Sequence, residues 1–343
     1  MARNLLVLRF SSVGDVILTS GAVSSLKRAV PDAAITYVTK SAFVDLVRHH
    51  PAVTNVVSLA PGEKTSSLLS RLRDYGPYDG VIDLHGKVRS RWIAARTRAR
   101  RKVVWDKRPL ADTLLVPMRL RRYKAQMPIA ARYHRAVERF VGASLPREPL
   151  SYVVGDEAIA SARRIVVERG VDLQRPIVVM SPGALWPTKQ WPVERFAALA
   201  AKADVRGTTV VLTGSAKEAE LTRRVRDIAP LAVDLAGALS LAELGGVLSL
   251  ARAVVANDSG PMHMARALGV PTLAFFGSTD PAQFRFDGHG LAYAGVECSP
   301  CSLHGLAKCP HGHFRCMNDI NVERAFDLLE GLLRGPERVQ VND

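Results

Sequence analysis

Short apolar runs alternate with amphipathic stretches along most of this chain. Asn4–Phe10, Ala34–Val38, Val53–Leu59 and Gly80–Leu84 have the length and boundaries of buried strands. Between them, Asp15–Ala29, Ala42–His49 and Ser66–Tyr75 carry helical spacing, a basic helix is expected from Arg89, and Val103–Trp105 reads as a further short strand. Pro146 to Pro149 punctuate a linker. A second alternation then begins: strands at Ile177–Ser181, Thr209–Thr213, Ala253–Ala256 and Pro271–Phe276, and helices at Glu157–Arg169, Pro192–Ala203, Glu218–Ile228, Leu241–Leu250, His263–Leu268 and Ile320–Leu333. This order predicts an α/β protein of two Rossmann-like halves facing across a cleft. The expected divisions are 1–155, 156–320 and a C-terminal helix and tail, 321–343.

Composition narrows the classes. No apolar run approaches the roughly 20 residues a membrane-spanning helix needs. The first strand begins almost at once, with no signal-peptide pattern, so a cytoplasmic location is expected. The formal charge is +15, and nearly all the excess lies between Gly86 and Arg135, where Asp106 and Asp112 are the only acids. Such a stretch attracts nucleic acid, an anionic membrane surface or a polyanionic substrate. Neither half has G-x-G-x-x-G after its first strand, which argues against a dinucleotide oxidoreductase, and no P-loop motif is present.

Five small-residue turns sit at strand carboxyl ends, where open α/β sheets bind ligands. The first is Arg9-Phe10-Ser11-Ser12-Val13-Gly14-Asp15, with an acid at a helix start. Ser181-Pro182-Gly183-Ala184 leads to Lys189 just before a helix, and Leu212-Thr213-Gly214-Ser215 is followed by Glu218. The fourth turn is Asn257-Asp258-Ser259-Gly260-Pro261-Met262-His263. Its backbone N–H groups and helix dipole suit a phosphate, although Asp and Ser are also ordinary N-caps. Phe276-Gly277-Ser278-Thr279-Asp280-Pro281 is the fifth.

In this order, with Lys189-Gln190-Trp191-Pro192 and Leu235-Ala236-Gly237, the turns resemble glycosyltransferase family 9, the bacterial heptosyltransferases of lipopolysaccharide core assembly. The resemblance runs from residue 4 to about residue 330, and the C-terminal half looks closer to enzymes adding a second or later heptose. It implies GT-B architecture and inverting transfer of heptose from an ADP-activated donor to a lipid-anchored, phosphorylated acceptor, with no cofactor required. Asp15 matches the general base and Lys189 the lysine on the donor phosphates. Glu218 matches the acid on the donor ribose and Asp258 the one on the sugar hydroxyls. Gly183, Ser259, Gly260 and His263 complete the donor side, while Leu239, Leu241 and Glu243 lie near the expected adenine seat. Ser11, Ser12, Gly14, His85, Lys87 and Arg89 are the candidate acceptor contacts; His85 stands where the family more often has glutamine. A monomer working peripherally at the inner membrane is expected, its basic stretch meeting anionic lipid.

All four cysteines fall in one segment, Cys298, Cys301, Cys309 and Cys316, with His304, His311 and His313 interleaved. These are zinc-ligand types, so a structural zinc is one expectation; reduced or paired thiols are the other. Two rival functions stand behind the transferase. A non-catalytic nucleotide-sugar sensor would not need Asp15, and a nucleic-acid binder would use the basic stretch, which has few aromatics and no reader motif.

Overall fold

The computed structural model describes residues 3–106 and 127–335; Lys107, Arg108, Arg119, Arg121, Arg122 and Lys124 of the basic stretch lie outside the described residues. Two parallel sheets are built from the expected alternation. The first contains β1 (Asn4–Leu8), β2 (Ala34–Lys40), β3 (Asn55–Leu59), β4 (Gly80–Asp83) and β5 (Arg101–Val104), in the order β3-β2-β1-β4-β5. The second contains β6 (Ile177–Ser181), β7 (Thr209–Leu212), β8 (Val233–Asp234), β9 (Ala253–Asn257), β10 (Thr272–Phe276) and β11 (Gly290–Tyr293), in the order β11-β10-β9-β6-β7-β8. The central strands are apolar on both faces because helices cover both: every residue of β6, β9 and β10 is buried. Strand order reverses between β1 and β4 and again between β6 and β9. The crevices at those two reversals, at the strand carboxyl ends, are where an open α/β sheet receives ligands.

The helices are α1 (Val13–Leu18), α2 (Ser20–Ala29), α3 (Thr65–Arg73), α4 (Val88–Arg96), α5 (Ile129–Val141) and α6 (Asp156–Glu168) in the first part of the chain. α7 (Val193–Val205), α8 (Ala219–Ile228), α9 (Leu241–Leu250), α10 (Gly260–Ala267), α11 (Arg315–Asn318) and α12 (Val322–Leu333) follow. Among the described residues no helix is long and apolar enough to cross a membrane. Three departures from the sequence pattern matter. The helix expected over Asp15–Ala29 is two, broken at Thr19, whose hydroxyl donates to Val16 O at 2.7 Å and shares a hydrogen bond with Tyr37 at 2.8 Å. The segment Ser41–Leu46 is a 3₁₀ turn rather than an α-helix. α5 has no counterpart in the sequence pattern, where Arg132 and Arg135 count only toward the basic stretch. Its buried stripe, Tyr133, Ala136, Val137 and Phe140, has helical spacing and packs under the first sheet. A Cβ at Gly80 would lie 2.2 Å from the Phe140 ring, so that strand approaches α5 closely only with glycine there.

The two sheets share a continuous apolar interior through α1, α10 and the linker. Tyr152 N donates to Ala267 O at 3.2 Å and Ser151 N donates to Ser20 Oγ at 3.0 Å, so the linker is fastened to both halves. The buried face of α12, Ala325 and Leu329, joins the same core as Leu273 and Phe275 of β10.

Candidate functional site

The Asp15 turn leaves the carboxyl end of β1. Ser12 caps α1, and Asp15 in its first turn folds back, so Oδ2 accepts from Ser12 N and Ser12 Oγ, both at 3.2 Å. The same oxygen meets the Arg9 guanidinium at 2.5 Å, while Oδ1 accepts from the Tyr133 hydroxyl at 3.2 Å. Arg9 is buried. Its Nη1 donates to Leu84 O at 2.7 Å, and its guanidinium carbon lies 5.4 Å from the Tyr133 ring centre and 6.0 Å from that of Trp105. Burial works to raise the Asp15 pKa, but the Arg9 charge and the Ser12 and Tyr133 hydrogen bonds outweigh it and hold the carboxyl below its ordinary value. Asp15 is therefore ionised at neutral pH, and its side chain stays 34% exposed, open to a reactant.

Across the cleft, Asn257 at the end of β9 fixes the neighbouring turns. Its Oδ1 accepts from Trp191 N at 3.0 Å and its Nδ2 donates to Pro182 O at 2.7 Å. Trp191 is stacked on Phe275 at 4.2 Å, and the 3₁₀ turn Pro187–Lys189 is thereby held against the sheet edge. Lys189 is no surface lysine. Its Nζ pairs with Asp258 Oδ2 at 2.7 Å, and Thr279 Oγ1 donates to the same oxygen at 2.7 Å. Burial works to raise the Asp258 pKa, and the Lys189 charge overrides it and holds it low. Ser259 Oγ, at the start of α10, is buried with no hydrogen-bond partner among the described residues. Glu218 closes a capping box, its Oε2 accepting from Ser215 N at 2.7 Å and Ser215 Oγ at 2.8 Å. Its other oxygen lies over the β6 turn, where a Cβ on Gly183 would come within 1.9 Å. Glu243, by contrast, is engaged in capping α9: it accepts from Ser240 N and Ser161 Oγ at 2.8 Å each.

The two groups meet at His263. A Cβ on Gly14 would lie 2.5 Å from His263 Cδ2, and one on Gly260 would lie 3.1 Å from Val13 Cγ1, so α1 and α10 touch through glycine. His263 Nε2 faces Asp258 Oδ1 at 3.9 Å, and its ring packs on Phe284. Burial drives the imidazole pKa down to about 4, so it is neutral at neutral pH. A line of contacts thus runs from Asp15 through Gly14, His263 and Asp258 to Lys189. Sequence reasoning named every member of that line. It gave no part to Arg9, Tyr133, Asn257 or Thr279. The signal for Arg9 and Thr279 was their place in strand-end turns; nothing local marked Tyr133.

The remaining candidates lie around this line. His85 N donates to Asp83 Oδ1 at 2.9 Å, and its ring packs 4.8 Å from that of Phe10, at the β4 end of the same crevice. Lys87 is exposed at the start of α4, whereas Arg89 turns back to donate to the Glu63 carbonyl. The described residues of the basic stretch do not share one edge. α4 begins at the site, but β5 starts opposite Gly80, so Arg98, Arg100 and Arg101 lie at the far end of the sheet.

The zinc expectation is not met. Among the described residues no three His, Cys, Asp or Glu side chains are gathered to hold a metal ion. None of the four cysteines is joined in a disulfide within the described residues. Cys316 is turned into the core beside Met317 and Ile320, and burial pushes its thiol up to about 12, whereas Cys298 faces His313 Nε2 at 3.8 Å near the surface. The segment packs on the Lys189 turn instead: Leu306 N donates to Thr188 Oγ1 at 2.7 Å, and Gly305 lies against Trp186.

Residues 66–302 match the model of glycosyltransferase family 9 (heptosyltransferase). The chain belongs to this family. It is 31% identical to lipopolysaccharide heptosyltransferase 1 of Pseudomonas aeruginosa, over 98% of this chain and 99% of that protein. Its fold is shared with a family 9 glycosyltransferase of Veillonella parvula, at a TM-score of 0.81 and 20% identity over 97% of each chain. It is shared too with the Escherichia coli ADP-heptose lipopolysaccharide heptosyltransferase II, at a TM-score of 0.75 and 21% identity over 96% of this chain and 98% of that one. The two-sheet architecture is that of the GT-B heptosyltransferases, and the protein is a glycosyltransferase.

Proposed function

We propose that this family 9 enzyme transfers heptose, with inversion, from an ADP-activated donor to the phosphorylated inner core of lipopolysaccharide. The observation that carries this reading is the line of contacts from Asp15 to Lys189, which links, through Gly14 and His263, a carboxylate of one half to an acid and a lysine of the other. The half bearing Asp15 takes the acceptor and the half bearing Lys189 takes the donor. Asp15 receives the proton of the acceptor hydroxyl as its oxygen attacks the anomeric carbon. Lys189, with Ser259 and the amides of Gly260 and Gly183, meets the donor diphosphate and offsets charge on the leaving ADP. Asp258 holds sugar hydroxyls and Glu218 the ribose. Ser11, Ser12, His85 and Lys87 line the acceptor approach. The buried hydroxyl of Ser259, unpartnered among the described residues, supports a ligand at that turn.

The acceptor is lipid-anchored, so the enzyme works on the cytoplasmic face of the inner membrane. Val88 is 87% and Trp92 is 39% exposed one helical turn apart on α4, with Lys87 and Arg91 beside them, and this face starts at the β4 edge of the site. An apolar pair within basic residues suits an anionic lipid surface.

The test is purified protein with ADP-heptose and core acceptors carrying no heptose or one, with products read by mass. Addition of a single heptose to either acceptor supports the reading and names the position. Asp15→Asn is expected to lose about 10²–10⁴-fold in rate with nucleotide affinity unchanged. A variant keeping more than about a tenth of the rate would overturn the base assignment.

A further inference from the structure

The Asp15 carboxylate is not symmetric. Oδ2 takes three donors: Arg9 Nη2 at 2.5 Å, and Ser12 N and Ser12 Oγ at 3.2 Å each. An ionised carboxylate offers about four lone-pair positions, two on each oxygen, so Oδ2 has none to spare. Among the described residues, Oδ1 takes one donor, the hydroxyl of Tyr133 at 3.2 Å, which leaves one of its two lone-pair positions for a reactant. Tyr133 is fully buried on α5, its ring 4.6 Å from that of Trp105 and against the Arg9 guanidinium, so its phenolic oxygen is held in place.

From this geometry we propose that Oδ1 of Asp15 is the oxygen that accepts the acceptor's proton, and that Tyr133 is the positioning residue that aims it. The inference rests on the reading of Asp15 as the base. In the step, the acceptor oxygen bonds to the anomeric carbon. The anomeric bond to the diphosphate breaks, its electron pair leaving with ADP, and the acceptor proton passes to Oδ1. Arg9 anchors the opposite oxygen throughout. The charged and titratable groups around the carboxylate are Arg9, Tyr37 and Tyr133 of its own half and His263 of the other, and burial raises both phenols so that they remain protonated donors. Without Tyr133 the carboxylate would stay ionised and anchored through Oδ2, but Oδ1 could swing about that anchor. A reacting group displaced by a fraction of an ångström loses rate without losing ligand affinity.

The test compares wild type, Tyr133→Phe, Asp15→Asn and the double variant in single-turnover transfer, with donor affinity by calorimetry. Tyr133→Phe keeps the buried ring and is expected to fold. Its rate should fall about 10-fold, the size of one hydrogen bond to a charged group, with donor affinity unchanged. In the Asp15→Asn background the same substitution should cost less than about twofold, because there is no longer a base to aim. An equal loss in both backgrounds would mean that Tyr133 acts only through the fold and would overturn the inference. So would a Tyr133→Phe rate within about twofold of wild type. If Asp15→Asn itself remains active, the base reading fails first, and the two failures are told apart.

Discussion

The Lys189–Asp258 pair offers a perturbation in which stability and function should separate. Lys189 is 15% and Asp258 6% exposed, so the pair is largely withdrawn from water, and removing one partner strands the other's charge. Breaking such a pair costs about 3–5 kcal/mol in general. For Lys189→Met the lower end applies, about 3 kcal/mol, because Asp258 keeps its hydrogen bond from Thr279. Asp258→Asn should cost less, about 1–2 kcal/mol, since a lysine can extend its ammonium toward water. The double variant buries no charge and should return to within about 1 kcal/mol of wild type. Urea denaturation at neutral pH reads this as a shift in midpoint at constant slope. Calorimetry with an ADP-sugar and single-turnover transfer read the other side: all three variants should bind the donor weakly and transfer slowly. A double variant as unstable as the two singles combined would show that the two charges do not depend on each other. Unchanged donor affinity and rate in all three would leave the C-terminal half without a role as donor site.

Two further outcomes follow from the structure. His263 is protonated near 6.5 when unfolded but only near 4 when folded, so the unfolded chain binds the extra proton between those values and stability falls as pH drops through that window. The loss should be about 2 kcal/mol by pH 5 and about 3 kcal/mol by pH 4, with His50, buried and shifted the same way, adding to it, while the low carboxyl pKa values of Asp15 and Asp258 matter only below about pH 4. Urea midpoints at pH 7.5 and 5 test this: His263→Gln should flatten the difference, and an equally steep fall in the variant would rule His263 out as its source. At the membrane, changing Lys87, Val88, Arg91 and Trp92 to Ser should abolish salt-sensitive sedimentation with anionic liposomes, at about 1 kcal/mol for each basic residue lost. Changing Arg98, Arg100 and Arg101, at the far end of the sheet, should leave most of it, and the reverse pattern would refute the assigned face.

The sequence alone determined the alternation of elements, the division into two α/β halves and the turns that hold the chemistry. These are local properties. Apolar runs of strand length followed by glycine and serine mark β1, β6 and β9, and the acids and lysine lie in the turns that leave the strand ends. Edge strands β8 and β11 escaped because short strands at a sheet edge bury too little to leave a pattern. α5 escaped because its arginines masked its apolar stripe. Tertiary structure alone decided the rest. Tyr133 meets Asp15 across 118 residues, and no spacing rule links a tyrosine under one sheet to a carboxylate at its edge. The same holds for the pairing of Lys189 with Asp258, 69 residues away, which forms because Asn257 fixes the Trp191 end of the lysine's turn. The basic stretch reads as one patch along the chain, but α4 carries it from the site edge to the opposite edge, and β5 begins there. Charge adjacent in sequence became charge at two ends of a sheet, because a parallel crossover must return the chain to the start of the next strand.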